Sequence, residues 1–280
     1  MSIVISPEAL RAWLAAPDSR VWVLDVRWSL GGPPGLGLFR EGHVPGSVFV
    51  DLETELAEHA SPGAGRHPLP STAALQAAAR RWGLNDEDPV VVLDGGGNLA
   101  AARARWLLRD AGVADVRLLD GALPAWVAAG LPLDTGDASP TAGTVTLTSG
   151  QLPRLTIDEA ADFPGHGILL DARAPERFRG ETEPIDPRAG HIPGAQNAPA
   201  TANLAEDGRF LSAEELRERF AALGAVPGTP VAVYCGSGVT AAATAAALEI
   251  AGIDAALFPG SWSQWSADPA RPVATGSPSA

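Results

Sequence analysis

Residues 231–251 read VAVYCGSGVTAAATAAALEIA. An apolar run ends at Tyr234, Cys235 follows at once, and Gly236-Ser237-Gly238 opens an alanine-rich stretch with helical character. Cys235 therefore stands at a strand end, in a loop that runs into a helix N-terminus. The backbone N–H groups of such a loop curl toward one point, and with the helix dipole behind them they favour an anion there. A thiolate is such an anion, and the same field stabilises a persulfide or an anionic sulfur donor. Packing gives no reason for two glycines within three residues, since ordered glycine costs about 0.5–1 kcal/mol against alanine. Cys235 thus reads as functional rather than as a small buried hydrophobe.

Outward from this stretch the chain repeats itself. VAVYCGSGVTAAA matches VVVLDGGGNLAAA in the first half, LLDAR (169–173) matches VLDVR (23–27), and GHIPG at Gly190 matches GHVPG at Gly42. A capped helix over 212–223 matches one over 71–82, and LFPGSWSQW (257–265) matches LLDGALPAW. The offsets stay between 139 and 148 residues, which is the mark of a duplicated module. Strands alternating with helices predict an α/β fold, two tandem copies of a mainly parallel central sheet with helices on both faces. The predicted bounds are 1–130 for the first copy, a Gly/Ser/Thr/Pro-rich linker over 131–155, 156–266 for the second copy, and an extended or mobile tail over 267–280. Asp94 occupies the place of Cys235 in the first copy. A carboxylate does not accept and pass on a sulfur atom, so the first copy reads as inactive.

Composition narrows the function. The net charge of −13 argues against nucleic acid as a partner, and no run of about 18 apolar residues suggests a membrane span. One cysteine excludes an internal disulfide and an all-cysteine metal site, and with an N-terminus unlike a signal peptide it points to the cytosol. The 20 basic residues are all arginine, so any fixed side-chain cation at the site is a planar guanidinium fork. The residues suggest no metal and no organic cofactor.

DVRW at Asp25, the paired GHVPG and GHIPG, DARAPERFRG at Asp171, CGSGVT at Cys235 and GSWSQW at Gly260, in order and in duplicate, resemble the tandem-domain rhodanese superfamily. The resemblance implies a sulfurtransferase: Cys235 would take sulfur from a small-molecule donor, hold it as a persulfide, and pass it to cyanide, a thiol or a thioredoxin-like protein. The neutral CGSGVT loop resembles that of 3-mercaptopyruvate enzymes, whereas thiosulfate enzymes tend to carry cations in the loop; a thiosulfate:cyanide transferase and a non-enzymatic sulfur-carrier or regulatory module are the alternatives. Ser237 supplies a hydroxyl for the donor or for the helix N-terminus. By the same resemblance Arg177 and Arg173 would hold the donor's anionic end, the alternative for Arg173 being to pair with Asp171 or cap the fold, with Gly236, Gly238, Val239 and Thr240 forming the cradle. Arg188 stands nearest to a second substrate arginine seen in mercaptopyruvate enzymes, though displaced toward His191. Some members use a Ser-His-Asp relay, in which His43 would be the histidine, but residues 31–40 contain no aspartate. The alternative for His43 and His191 is structural, each fixing the turn before its Pro-Gly. A Cys-x5-Arg phosphatase loop is excluded, because Ala241 stands where the phosphate-clamping arginine would be.

Overall fold

Runs of Val, Leu and Ile bounded by turn residues form the strands, and each half of the chain collects its own into a parallel sheet. The computed structural model describes residues 2–276 apart from 18 and 62, in two compact units. The first comprises Met1–Glu58, Pro70–Leu152 and Leu204–Phe210; the second comprises His59–Leu69, Pro153–Asn203 and Leu211–Ala280.

The first unit holds β1 (Val4–Ile5), β2 (Trp22–Val26), β3 (Val48–Phe49), β4 (Val90–Asp94) and β5 (Val116–Leu119), all parallel in the order β1-β5-β4-β2-β3. Its helices are α1 (Pro7–Leu14), α2 (Gly35–Glu41), α3 (Leu52–Glu55), α4 (Thr72–Arg81), α5 (Ala101–Asp110) and α6 (Ala122–Ala128). Ser6 and Ser71 cap α1 and α4 through their side-chain oxygens, the second as the sequence predicts. Every residue of β4 is buried, as a central parallel strand covered on both faces requires.

The second unit repeats the plan with β6 (Ile168–Asp171), β7 (Gln196–Asn197), β8 (Val231–Tyr234) and β9 (Ala256–Leu257), parallel in the order β7-β6-β8-β9. Its helices are α7 (Ile157–Asp162), α8 (Pro175–Phe178), α9 (Ala213–Ala221), α10 (Thr240–Ile250) and α11 (Ser261–Ala267). A capping box of Ser212 and Glu215 starts α9.

Three boundaries differ from the sequence reading. Residues 131–155 are not a free linker: Val145 and Leu147 are buried, and the Val145 and Thr148 N–H groups donate to the Leu84 and Ala111 carbonyls in the first unit. The tail is tied down as far as Gly276, because Ala274 and His191 exchange two backbone hydrogen bonds and Gly276 donates to Arg179 O; residues 277–280 lie outside the described residues. Finally, each unit includes a short segment of the other half, His59–Leu69 in the second and Leu204–Phe210 in the first.

Candidate active site

Strand β8 lies between β6 and β9 and ends at buried Tyr234, which delivers Cys235 at the carboxyl edge of the sheet, where ligands of parallel sheets bind. Cys235 is buried, with 3% of its surface exposed. Gly238 has φ +79°, and a Cβ there would stand 2.4 Å from the Pro259 carbonyl oxygen, so this turn admits only glycine. The Gly238 N–H points at Cys235 Sγ, 3.2 Å away. Helix α11 turns the loop's carbonyls away from the sulfur: Trp262 N–H donates to Cys235 O (3.0 Å) and Ser263 N–H to Gly236 O (2.8 Å). The Cys235 N–H in turn donates to Ser261 Oγ, and Ser261 sits in the strained left-handed region at φ +52°. Val239 is buried just before α10 and Thr240 opens that helix.

The equivalent loop of the first unit shows what such a turn holds. Asp94 accepts N–H bonds from Gly96 (2.8 Å), Asn98 (3.1 Å), Ala100 (2.9 Å) and Ala101 (3.2 Å). Burial pushes its carboxyl up, and these four donors act in the opposite direction. The cradle is an anion site filled by the chain's own side chain, so Asp94 lies where the repeat put it.

Ser237 is buried, and its Oγ is 2.7 Å from Nδ1 of His67, which is buried too. His67 reaches it on the His59–Leu69 segment, which is fixed to α11: Arg66 N–H donates to Ser263 Oγ (3.1 Å), and Gln264 Nε2 donates to Gly63 O (2.7 Å). Sequence reasoning missed this histidine. A signal existed in the repeat: Gly65-Arg66-His67 and Gly208-Arg209-Phe210 are 143 residues apart, and both shortly precede a helix-capping serine, but only the first carries a histidine.

Other predicted residues have different duties. His43 is not at the loop. It lies in the first unit with Nδ1 on Phe39 O (2.8 Å) and its ring stacked on Phe39 at 3.9 Å; His191 does the same with Phe178 in the second. Arg173 is 2% exposed and fully engaged: it binds Asp171 (2.7 Å), Glu183 and Gly190 O, and its guanidinium lies over the Trp262 ring. It locks the strand end rather than a donor, as Arg27 does with Asp25 and Gly42 O in the first unit. Arg188 is likewise consumed, by the carbonyls of Trp265, Ser266 and Arg271 around the end of α11. Arg177 alone of these arginines remains beside the loop: a methyl group on Gly236 would lie 3.6 Å from its Nη1. Its fork is shared by Glu183 (2.6 Å) and Asp186 (3.2 Å). Burial pushes the Glu183 carboxyl up, but the Arg177 hydrogen bond and the Asp186 and Ile185 amides outweigh it and hold that carboxyl below its ordinary value. Among the described residues, no group of three or more His, Cys, Asp and Glu side chains is placed to hold a metal, and no helix is long and apolar enough to cross a membrane.

Comparison with known proteins adds the following. A family model for the rhodanese-like domain matches residues 6–129 and again 156–268. A Mycobacterium tuberculosis protein provisionally named thiosulfate sulfurtransferase SseB is 50% identical, over 98% of this chain and 97% of that one. A Pseudomonas aeruginosa protein provisionally named 3-mercaptopyruvate sulfurtransferase is 48% identical over 98% of each chain. The crystal structure of SseA from Escherichia coli, described by the rhodanese fold of 3-mercaptopyruvate sulfotransferases, superposes with a TM-score of 0.82 at 30% identity, covering 94% of this chain and 100% of that one.

Proposed function

The chain belongs to the rhodanese family as a tandem-domain sulfurtransferase using 3-mercaptopyruvate or thiosulfate, and from that premise we propose that 3-mercaptopyruvate is its preferred donor and Cys235 its sulfur carrier. The observation that carries the choice is the 2.7 Å contact between His67 and Ser237 inside a loop without a cation of its own.

The Cys235 thiolate attacks the donor's sulfur. An S–S bond forms, the C–S bond breaks, and its electron pair leaves on carbon as the enolate of pyruvate. That enolate needs a proton. Ser237 Oγ–H, one residue from the Cys235 loop's first glycine, is placed to give it, and His67 is placed to resupply Ser237. The persulfide forms as CysS–SH and gives the donor's S–H proton to solvent, leaving CysS–S⁻, an anion that the Gly238 N–H and the dipole of α10 favour. The acceptor then attacks the outer sulfur: with cyanide, thiocyanate leaves and the Cys235 thiolate returns. Thiols and thioredoxin-like proteins react through the same atom. Thiosulfate releases sulfite, which needs no proton from Ser237 but gains from fixed positive charge that this loop lacks. The sole thiol must stay reduced, which suits the cytosol.

Steady-state rates with the two donors side by side test the donor. We expect kcat/KM for 3-mercaptopyruvate to exceed that for thiosulfate by at least about tenfold, roughly the worth of 1.4 kcal/mol in the transition state. Equal values, or a preference for thiosulfate, would refute it.

A further inference from the structure

We propose that the first unit carries a second, non-catalytic binding site, a cavity beside His43 that takes a small organic ammonium ion with an apolar body.

The cavity has a volume of about 620 Å³, in the range of small-molecule sites. It lies at the amino ends of β2 and β3, where Trp22 and Val48 begin those strands, and residues 133–140 form its other wall. That is the opposite end of the sheet from the Asp94 loop, and Cys235 belongs to the other unit.

The duplication supplies a comparison. Gly46 and Gly194 make the same turn, at φ +77° and +83°. A Cβ on Gly194 would stand 2.6 Å from Pro164 Cβ, whereas one on Gly46 would meet nothing within 4 Å. At equivalent places the second unit has Ile168 for Trp22 and Ala195 for Ser47, and Ala274 pairs with His191 as Asp134 pairs with His43. The second copy is thus filled and apolar where the first is open and polar.

The polar groups around this space are acceptors. His43 Nδ1 lies on Phe39 O, and a carbonyl only accepts, so Nδ1 carries the proton and Nε2 is left as the acceptor of the neutral ring. Ser47 is wholly buried and lines the cavity, and its Oγ has no hydrogen-bond partner among the described residues. An unpaired buried hydroxyl is costly, and a ligand N–H satisfies it. Two backbone bonds with His43 (3.0 and 2.9 Å) fix Asp134, whose residue stays exposed at the cavity. Asp137 adds a second carboxylate, shared with Arg40 (2.6 Å). No arginine lines the cavity, and the chain has no lysine. The Trp22 indole N–H is spent on Asp88 (2.6 Å), so this ring offers the cavity its carbon surface. Carboxylates, a lone-pair nitrogen and an unpaired hydroxyl recognise the N–H groups of a cation, and an indole surface with Leu133 covers its apolar body. The same carboxylates repel an anionic sulfur donor, so this is not a second donor site.

Isothermal titration of the intact chain with 2-phenylethylamine tests the site, with neutral 2-phenylethanol as the control. We expect the amine to bind with a Kd of about 1 mM or tighter and the alcohol at least about tenfold more weakly, with amine binding kept in Cys235→Ser. Asp134→Asn retains the backbone pairing with His43; it should weaken amine binding about 5- to 10-fold and leave sulfur transfer within about twofold. Ser47→Ala should weaken binding about threefold or more without lowering the melting temperature, since the hydroxyl it removes holds nothing in the fold. Circular dichroism establishes folding of each variant. No binding of the amine by the wild type, equal binding of the alcohol, or wild-type affinity in folded Asp134→Asn or Ser47→Ala would overturn the proposal.

Discussion

Ser237 Oγ lies 2.7 Å from His67 Nδ1, and in the proposed reading this contact supplies the proton that the leaving enolate needs. His67→Gln should lower kcat/KM for 3-mercaptopyruvate by on the order of 10² to 10⁴, the usual worth of a positioned proton donor or acceptor. His43→Gln should leave the rate within about threefold and cost about 1–2 kcal/mol of stability, through the lost Phe39 carbonyl bond and ring stacking. Paired kinetics and melting curves separate the two; a rate loss in His43→Gln alone would reverse the assignment. Cys235 and Gly238 were legible in the sequence because the demands on them are local: a strand end, a positive φ, and a backbone approach that excludes a Cβ. His67 was not. Its place beside Ser237 depends on where a loop of low regularity comes to rest, and the more recognisable histidine motif, GHVPG, pointed to His43 instead. Arg173 was left between two readings, a donor fork or a partner of Asp171, and its bonds to Asp171 and Gly190 O match the second: a guanidinium beside a strand-end aspartate serves a ligand or the fold equally well until its partners are seen.

At the level of elements, both units use one device twice. A histidine at the Gly-His-x-Pro-Gly turn caps a helix carbonyl and stacks on a phenylalanine, while an arginine from the preceding strand holds the turn's glycine carbonyl. In the second unit burial lowers the His191 pKa from its ordinary 6.5, against the Phe178 carbonyl and Asp171, with Arg173 adding to the lowering. The folded chain therefore takes up this proton less readily than the unfolded chain. The stabilisation is complete above pH 6.5 and is lost as pH falls below it through the lowered value. Hence the stability difference between wild type and His191→Asn should shrink from pH 7.5 to about pH 5; denaturant melts at several pH values measure it, and a constant or growing difference would refute the assignment. Elements themselves were the most legible feature: capping serines and apolar periodicity gave α4 and α9 within one to two residues. The stretch 131–155 was not, because its glycines and prolines signal irregular backbone and say nothing about whether that backbone is packed.

On the scale of the whole molecule, duplication has left two different sets of side chains on the same scaffold, of which the proposed function uses one. At equivalent places the first unit has Asp94 for Cys235, Gly96 for Ser237 and, on the segment it takes from the second half, Phe210 for His67. Restoring the thiol alone should therefore not restore the enzyme. A folded Asp94→Cys/Cys235→Ser chain should turn over 3-mercaptopyruvate at no more than about 1% of the wild-type rate, since the proton relay is missing; a rate near wild type would mean that the cradle suffices by itself. The duplication and the placing of Asp94 opposite Cys235 could be read in the sequence, because both are matters of aligned residues. The exchange of His59–Leu69 and Leu204–Phe210 could not, because it is a property of chain path and leaves no mark in local composition. The most direct test of a Cys235 sulfur carrier is intact-protein mass spectrometry after incubation with 3-mercaptopyruvate and then cyanide. One added sulfur per chain, located on Cys235, removed as thiocyanate, and formed at least about tenfold more slowly in His67→Gln is the predicted result. A wild-type chain that turns over donor yet never carries the extra sulfur would contradict it.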